Sequence, residues 1–419
     1  MESWPTPTVP VLPGAGSIPL LYDTATGEKR ATDVSRGGQL YVCGITPYDA
    51  THLGHASTYL AFDTLGRVWR DAGVEVTYAQ NTTDVDDPLL ERAAATDVDW
   101  RELAASQTDL FRSDMTHLAI IPPDHYVAVT DVVGDIADAV ARLLDTGFAY
   151  RVATPDSDAG DDVYFDVAAA TASTTWHLGI ESRLDDETMM RFFSERGGDP
   201  DREGKRDPLD PLLWRSARDG EPSWESAVGD GRPGWHIECT VIALQHLSLP
   251  ISVNGGGSDL VFPHHEMSAG HGTALTGDPF ATHYAHAGMV AYQGEKMSKS
   301  LGNLVKVSEL VHEGVDPRAI RLALLGHHYR SDWEWFDDDV MTAIARLTHW
   351  IEWATTETTS AEEQAEPSAL LVELREALAD DLDTPAAVAA VERFVAAEQT
   401  PTSIDVDAVQ TLLGIDLRA

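Results

Sequence analysis

Apolar positions along this chain fall into two alternating spacings. Short β-prone runs at 40–42, 74–80, 163–165 and 251–254 each give way to Gly, Pro, Asn or Asp and read as strands. Longer segments place apolar residues every three or four positions and read as amphipathic helices: 50–69, 132–145, the stretch opened by 231–239 and running to about 247, then 338–353, 367–380 and 385–398. Gly255–Asp259 reads as a glycine turn, with His264, His265 and Glu266 entering a further helix. Strand, turn and helix in succession predict an open α/β sheet, and polar residues at a strand's carboxyl end lie where such sheets bind ligands. Asn81, Thr82, Thr83 and Asp84 hold that position after the second strand.

The pattern divides the chain into four parts. Residues 1–123 are expected to form the first half of the α/β fold, led in by a Pro- and Gly-rich stretch with a short strand at 20–22. Residues 124–231, ending in loops rich in Asp, Gly and Pro, form an inserted subdomain. Residues 232–330 complete the fold, and 331–419 make a small helical bundle. The segment 196–210 of the insertion reads equally as a flexible acidic loop or as a lid. No apolar run reaches the length of a membrane span, and the start lacks the basic and apolar regions of a signal peptide, so a cytoplasmic monomer is expected.

Charge narrows the partners. Asp and Glu number 69 against 29 Lys and Arg, a formal net of −40. Gripping a polyanion such as tRNA takes many cations, and a salt-adapted composition is the alternative reading of the acid excess. The lysines are Lys29, Lys205, Lys296, Lys299 and Lys306, so this scarce residue gathers around one loop.

Candidate chemistry concentrates at 41–56. Gly54 lets a phosphate lie close on a helix start, where free N–H groups and the helix dipole favour an anion, and His52 and His55 add donors. Alone, this is as well explained by a polar helix start. Cys43 and Cys239 are the chain's two cysteines. They could be inert thiols, a disulfide, or metal ligands; with His264 they match the three protein ligands of a catalytic zinc that keeps one position open.

His52-Leu53-Gly54-His55 and Lys296-Met297-Ser298-Lys299-Ser300 together resemble the paired signatures of class I aminoacyl-tRNA synthetases, with Leu53 in place of the usual isoleucine. The strings at 81–87, 231–239 and 255–266 resemble cysteinyl-tRNA synthetases. That resemblance implies a Rossmann-type catalytic domain with an inserted subdomain and a C-terminal helical bundle, and adenylate formation from ATP with Mg²⁺. It assigns His52, His55, Lys296 and Lys299 to catalysis and Cys43, Cys239 and His264 to Zn²⁺. Cys43, Gly44, Ile45, Thr46, Thr58, Asn81, Thr82, Thr83, Trp235, Gly257, Ser258 and Asp259 become the cysteine- and adenylate-binding set, with Asp84 or a nearby carboxylate for the cysteine ammonium. The chain departs from the synthetases at Ser268, where they carry a glutamate ligand, and at Asn254. These departures, with the strings at 3–16, 43–56 and 195–208, resemble the mycothiol-pathway cysteine ligases. That family joins L-cysteine to the amine of glucosaminyl-inositol and leaves tRNA aside; a minimal cysteinyl-tRNA synthetase is the runner-up.

Overall fold

In the computed structural model of the chain, every residue is described except 49–50, 298–301 and 358–365, together with the side chain of Lys296. Five strands and four helices build the frame of the site: β1 (Gly38–Val42), α1 (Leu53–Asp71), β2 (Val76–Thr82), α2 (Trp100–His117), β3 (His125–Ala128), α3 (Trp235–His246), β4 (Val253–Gly257), α4 (Glu266–Thr276) and β5 (Tyr284–Ala287). The strands pair in parallel in the order β5-β4-β1-β2-β3. This is the doubly wound arrangement, whose order reverses between β1 and β4 and opens a crevice at their carboxyl ends. β3 pairs with β2, so the sheet reaches into the segment that the sequence pattern gives to the insertion.

Two apolar cores cover the sheet. On one face Val42, Leu65 and Trp69 pack with Leu322, Trp350 and Leu374 of the carboxyl-terminal helices. On the other, Tyr41, Ile237 and Phe262 pack with Val163 and Trp214 of the insertion. Helix α1 is buried along most of its length, including its polar residues Asp63 and Arg67. Asp63 accepts from Arg67 (2.7 Å), Arg321 (2.5 Å) and the Ile121 N–H (2.8 Å). The two guanidinium groups also donate to the carbonyls of Thr411 (2.9 Å) and Leu413 (2.5 Å), tying the helical bundle to the catalytic helix.

The insertion carries a four-stranded antiparallel sheet of Ala149–Val152, Asp162–Phe165, Leu212–Ser216 and Gly231–Pro233. It also holds a helix at Asp186–Glu195, where the sequence pattern shows only loops. Within the segment 196–210 Lys205 donates to Asp199 (3.0 Å), and Tyr150 donates to Asp210 at its end (2.5 Å). The bundle helices are Asp337–Ala354, Ala369–Ala379 and Thr384–Ala396, followed by a short one at Ser403–Ala408 that the sequence reading missed. Among the described residues no helix is long and apolar enough to cross a membrane.

The expected glycine turn is instead strand. Gly255 lies within β4, and a Cβ there would sit 2.3 Å from the Phe62 ring on α1. Glycine is therefore a packing requirement between strand and helix, not a chain reversal.

Asp114 on α2 is fully buried, with its carboxyl at the Thr51 hydroxyl; burial raises it from 3.8 to about 7, the Thr51 contact acting the other way. A raised carboxyl is neutral in the fold and ionised in the unfolded chain, so its penalty grows between about pH 4 and 7 and then levels off. Asp114→Asn should match the parent near pH 4 and exceed its stability above pH 7 by up to about 4 kcal/mol. Denaturation midpoints that differ equally at both pH values would refute this.

Candidate active site

The chain leaves β1 at Cys43 and turns at once. Gly44 N–H donates to Asn81 Oδ1 (2.8 Å), and a Cβ on Gly44 would lie 1.6 Å from the Asn81 carbonyl oxygen, so only glycine fits this close approach. Asn81 also accepts from Tyr41 OH (3.2 Å) and donates to Thr83 Oγ1 (2.9 Å), while Thr83 N–H donates to the Ile45 carbonyl (3.0 Å). Asn81, Thr82 and Thr83 are buried, Asn81 and Thr83 bracing the loop from behind, and none of the three is among the residues that line the cavity in front of it.

In front of that loop lies a cavity of about 380 Å³. Cys43, Gly44, Ile45, Thr46, Thr58, Trp235, Gly257 and Asp259 line it, with His52 and His55. Ser258 occupies the adjoining turn and is not on the wall. His52 caps α1, its Nδ1 accepting from Gly54 N–H (3.1 Å), and its ring stacks on that of His55 with centroids 3.9 Å apart. Both imidazoles therefore sit at the helix start where a phosphate is best stabilised. Met289, Val290 and Met297 add apolar lining, of which the sequence reading had named only Met297, as part of the lysine motif. Lys296 lies on a two-residue strand, Glu295–Lys296, paired with Val290–Tyr292, and Lys299 falls outside the described residues. The segment after that loop returns to the histidine motif by main-chain bonds, Leu53 N–H to Val305 O (2.9 Å) and Val307 N–H to Thr51 O (3.2 Å).

Cys43 belongs to the cavity and to a second constellation. Its Sγ, that of Cys239 on α3 and a nitrogen of His264 all lie within 4.8 Å of one another, fully buried. His264 Nε2 has no hydrogen-bond partner among the described residues. A buried imidazole nitrogen left without a partner beside two thiols is the donor set of a metal centre. Burial holds the Cys43 thiol well above its ordinary range, and Cys239 adds to the rise. Burial acts the same way on Cys239, but the neighbouring Cys43 and His264 outweigh it and bring that thiol well below. Trp235 joins the two constellations, lining the cavity with its ring 4.6 Å from that of His264.

The surroundings fix these donors. His265 Nε2 lies 3.3 Å from Cys43 Sγ, its Nδ1 is 2.8 Å from His286 Nε2, and His286 Nδ1 is 2.7 Å from Thr24 Oγ1. His286 and Thr24 are functional neighbours that the sequence reading missed; the only signal was an isolated histidine in the last strand. Ser268 donates to the His236 carbonyl (3.2 Å) and adds no fourth ligand. Asp84, a candidate for the cysteine ammonium, has both carboxylate oxygens taken by Thr130.

A doubly wound sheet, a histidine-floored cavity at its reversal point and a lysine-bearing loop bonded back to that floor define a class I synthetase core. The family described as tRNA synthetases class I (C) catalytic domain matches residues 32–345. In fold the chain is similar to a methionyl-tRNA synthetase of Mycobacterium tuberculosis, with a TM-score of 0.59 at 16% identity over 90% of this chain and 89% of that one. Far nearer in sequence are proteins named L-cysteine:1D-myo-inositol 2-amino-2-deoxy-alpha-D-glucopyranoside ligase. That of Clavibacter michiganensis is 60% identical over 100% of this chain and 99% of its own length; that of Thermobispora bispora is 58% identical over the full length of both. The chain belongs to this ligase family.

Proposed function

We propose that the chain activates L-cysteine with ATP and transfers it to the amine of 1D-myo-inositol 2-amino-2-deoxy-alpha-D-glucopyranoside, forming an amide and releasing pyrophosphate and AMP. The observation that carries the reading is Cys43, shared between a set of thiol and imidazole donors and a nucleotide-sized cavity. Full-length relatives named for this reaction support it.

Cys43, Cys239 and His264 would hold Zn²⁺, which when bound supplies a soft site for the substrate thiolate and so selects cysteine over serine. The cavity orients the cysteine carboxylate toward the α-phosphate of ATP. A carboxylate oxygen forms the new P–O bond while the bond to pyrophosphate breaks, and positioning supplies much of the acceleration. His52 and His55, at the start of α1, are assigned to the phosphate charge, joined by Lys296 and Lys299 and by Mg²⁺. Thr46, Thr58, Trp235, Gly257 and Asp259 form the walls for the adenylate. In the second step the amine nitrogen attacks the carbonyl carbon, AMP leaves with the bonding pair of the broken C–O bond, and the amine gives up a proton.

The test is the product. With ATP and cysteine, purified protein should release AMP in proportion to added aminosugar and leave cysteine-accepting tRNA uncharged at the same salt. Charging of tRNA as fast as the aminosugar would overturn the reading.

A further inference from the structure

The string at 195–208 is one of those that resemble the cysteine ligases, yet none of its residues lines the active-site cavity. It begins where the insertion helix Asp186–Glu195 ends. Arg196 closes that helix by donating its N–H to the Phe192 carbonyl (3.0 Å), and Gly197 turns the chain at a φ of +85°, in the left-handed region that glycine adopts without strain. Gly198 then donates to the Phe193 carbonyl (2.8 Å), and a Cβ on it would meet the Phe193 ring at 2.3 Å. The two glycines let the chain double back tightly at the helix end, where the Arg196 guanidinium lies over the Phe192 ring, 4.0 Å from its centroid.

What Arg196 reaches is the turn that leads to a metal donor. Its Nη1 donates to the Asp259 carbonyl (2.6 Å) and to the Phe262 carbonyl (2.5 Å). Asp259 and Leu260 line the cavity and His264 belongs to the donor set, so this turn joins the two. Phe262 breaks the helical backbone between Val261 and His265 (φ −145°, ψ 137°), so no continuous helical ladder spans the turn. The insertion also grips the far side of His264: the N–H groups of Gly179 (3.0 Å), Glu181 (3.2 Å) and Ser182 (2.8 Å) donate to the fully buried Glu266 carboxylate. Residues 259–266 are thus held at both ends by the insertion, with His264 between the two ties.

We infer that Arg196 is a positioning residue for the metal centre: it pins the Asp259–Phe262 turn so that His264 meets Cys43 and Cys239 at the edge of the cavity. The inference rests on the metal reading above and gives the first residues of the 195–208 string a purpose. An unpinned turn adds the cost of ordering His264 to each binding event, so metal affinity and cysteine capture both weaken. The phosphate floor, built on the start of α1, does not depend on that turn.

Both acceptors share one nitrogen, which dictates the variants. Lysine also carries several N–H donors on one nitrogen, whereas methionine has a long stem and none. In the full-length protein, Arg196→Met should weaken zinc binding, measured by competition with a chromophoric chelator, by about tenfold or more. KM for cysteine in ATP–pyrophosphate exchange should rise to the same extent, with kcat within about threefold of the parent. Arg196→Lys should recover most of both. Arg196 is half-buried, so truncation leaves no closed cavity, and Arg196→Gln, which is too short to span both carbonyls, carries the same expectation should the Met variant fail to fold. Arg218 is the structural comparison: its side chain is 9% exposed and pairs with Asp156 and Asp162, all within the insertion. Arg218→Met should lower thermal stability and leave zinc affinity and the cysteine KM unchanged. Zinc affinity and cysteine KM within about twofold of the parent in the Arg196 variants, or a loss that Arg218→Met reproduces, would overturn the inference. A parent protein that holds no zinc would instead remove the metal reading itself, which separates the two failures.

Discussion

Loss of either the Cys239 thiol or the His264 ring is expected to strip the protein of tightly held zinc and lower kcat/KM for cysteine by at least about 10³-fold, roughly 4 kcal/mol. Three donors converge within 4.8 Å and the cluster holds no fourth among the described residues, so no other member can replace a lost ligand. Removing a group one shell further out typically costs about 10–100-fold in affinity, and a direct ligand should cost more. The first readout is metal content after dialysis, independent of turnover. Ser268→Ala is the matched comparison: it stands where the synthetases carry a ligand, yet its hydroxyl serves the His236 carbonyl, so that variant should keep its zinc. Full metal content in both Cys239→Ala and His264→Ala would dismiss the centre.

A second large effect is expected far from the chemistry. Asp63→Ala should destabilise the fold by about 3–5 kcal/mol, because it leaves two buried guanidinium groups without their counter-charge. Arg67 and Arg321 are each 1% exposed at the side chain, and their remaining acceptors are neutral carbonyls. The pair Arg393–Glu373, exposed at both ends, gives the scale for comparison: Arg393→Ala should cost less than about 1 kcal/mol. Urea midpoints of the two variants decide the matter, and an Asp63→Ala loss no larger than that of Arg393→Ala would show the cluster to be dispensable.

Much of the catalytic frame was legible because it is local. Leu40–Val42 followed by a helix with regular apolar spacing is a pattern within one window, and β1 and α1 appear there with their ends shifted by a few residues. The three metal donors could be assembled from sequence only through resemblance, since Cys43 and Cys239 lie on different elements and nothing in spacing brings them together. What failed was long-range. Gly255 looked like a turn because the reason for glycine, the Phe62 ring, lies on another element. That Asn81 and Thr83, at a strand's carboxyl end, hold the Gly44 loop from behind was likewise invisible, since only the fold brings residue 44 against residue 81. The helix at Asp186–Glu195 was hidden by the polar, Gly-rich sequence around it, although its Asp185 cap bonds Thr188 N–H in the ordinary way.

The bond between the histidine motif and the segment after the lysine loop has a consequence for mutational tolerance. Leu53 to Val305 and Val307 to Thr51 are amide-to-carbonyl contacts, so exchanging the side chain of Thr51, Val305 or Lys306 leaves both in place. Proline differs, since at Leu53 or Val307 it deletes the donor itself. Sequence drift can therefore retune Thr51, Val305 and Lys306 while the segment after the lysine motif stays fastened to the phosphate floor, and proline at Leu53 or Val307 would cost a main-chain bond beyond the packing that alanine at those buried positions removes.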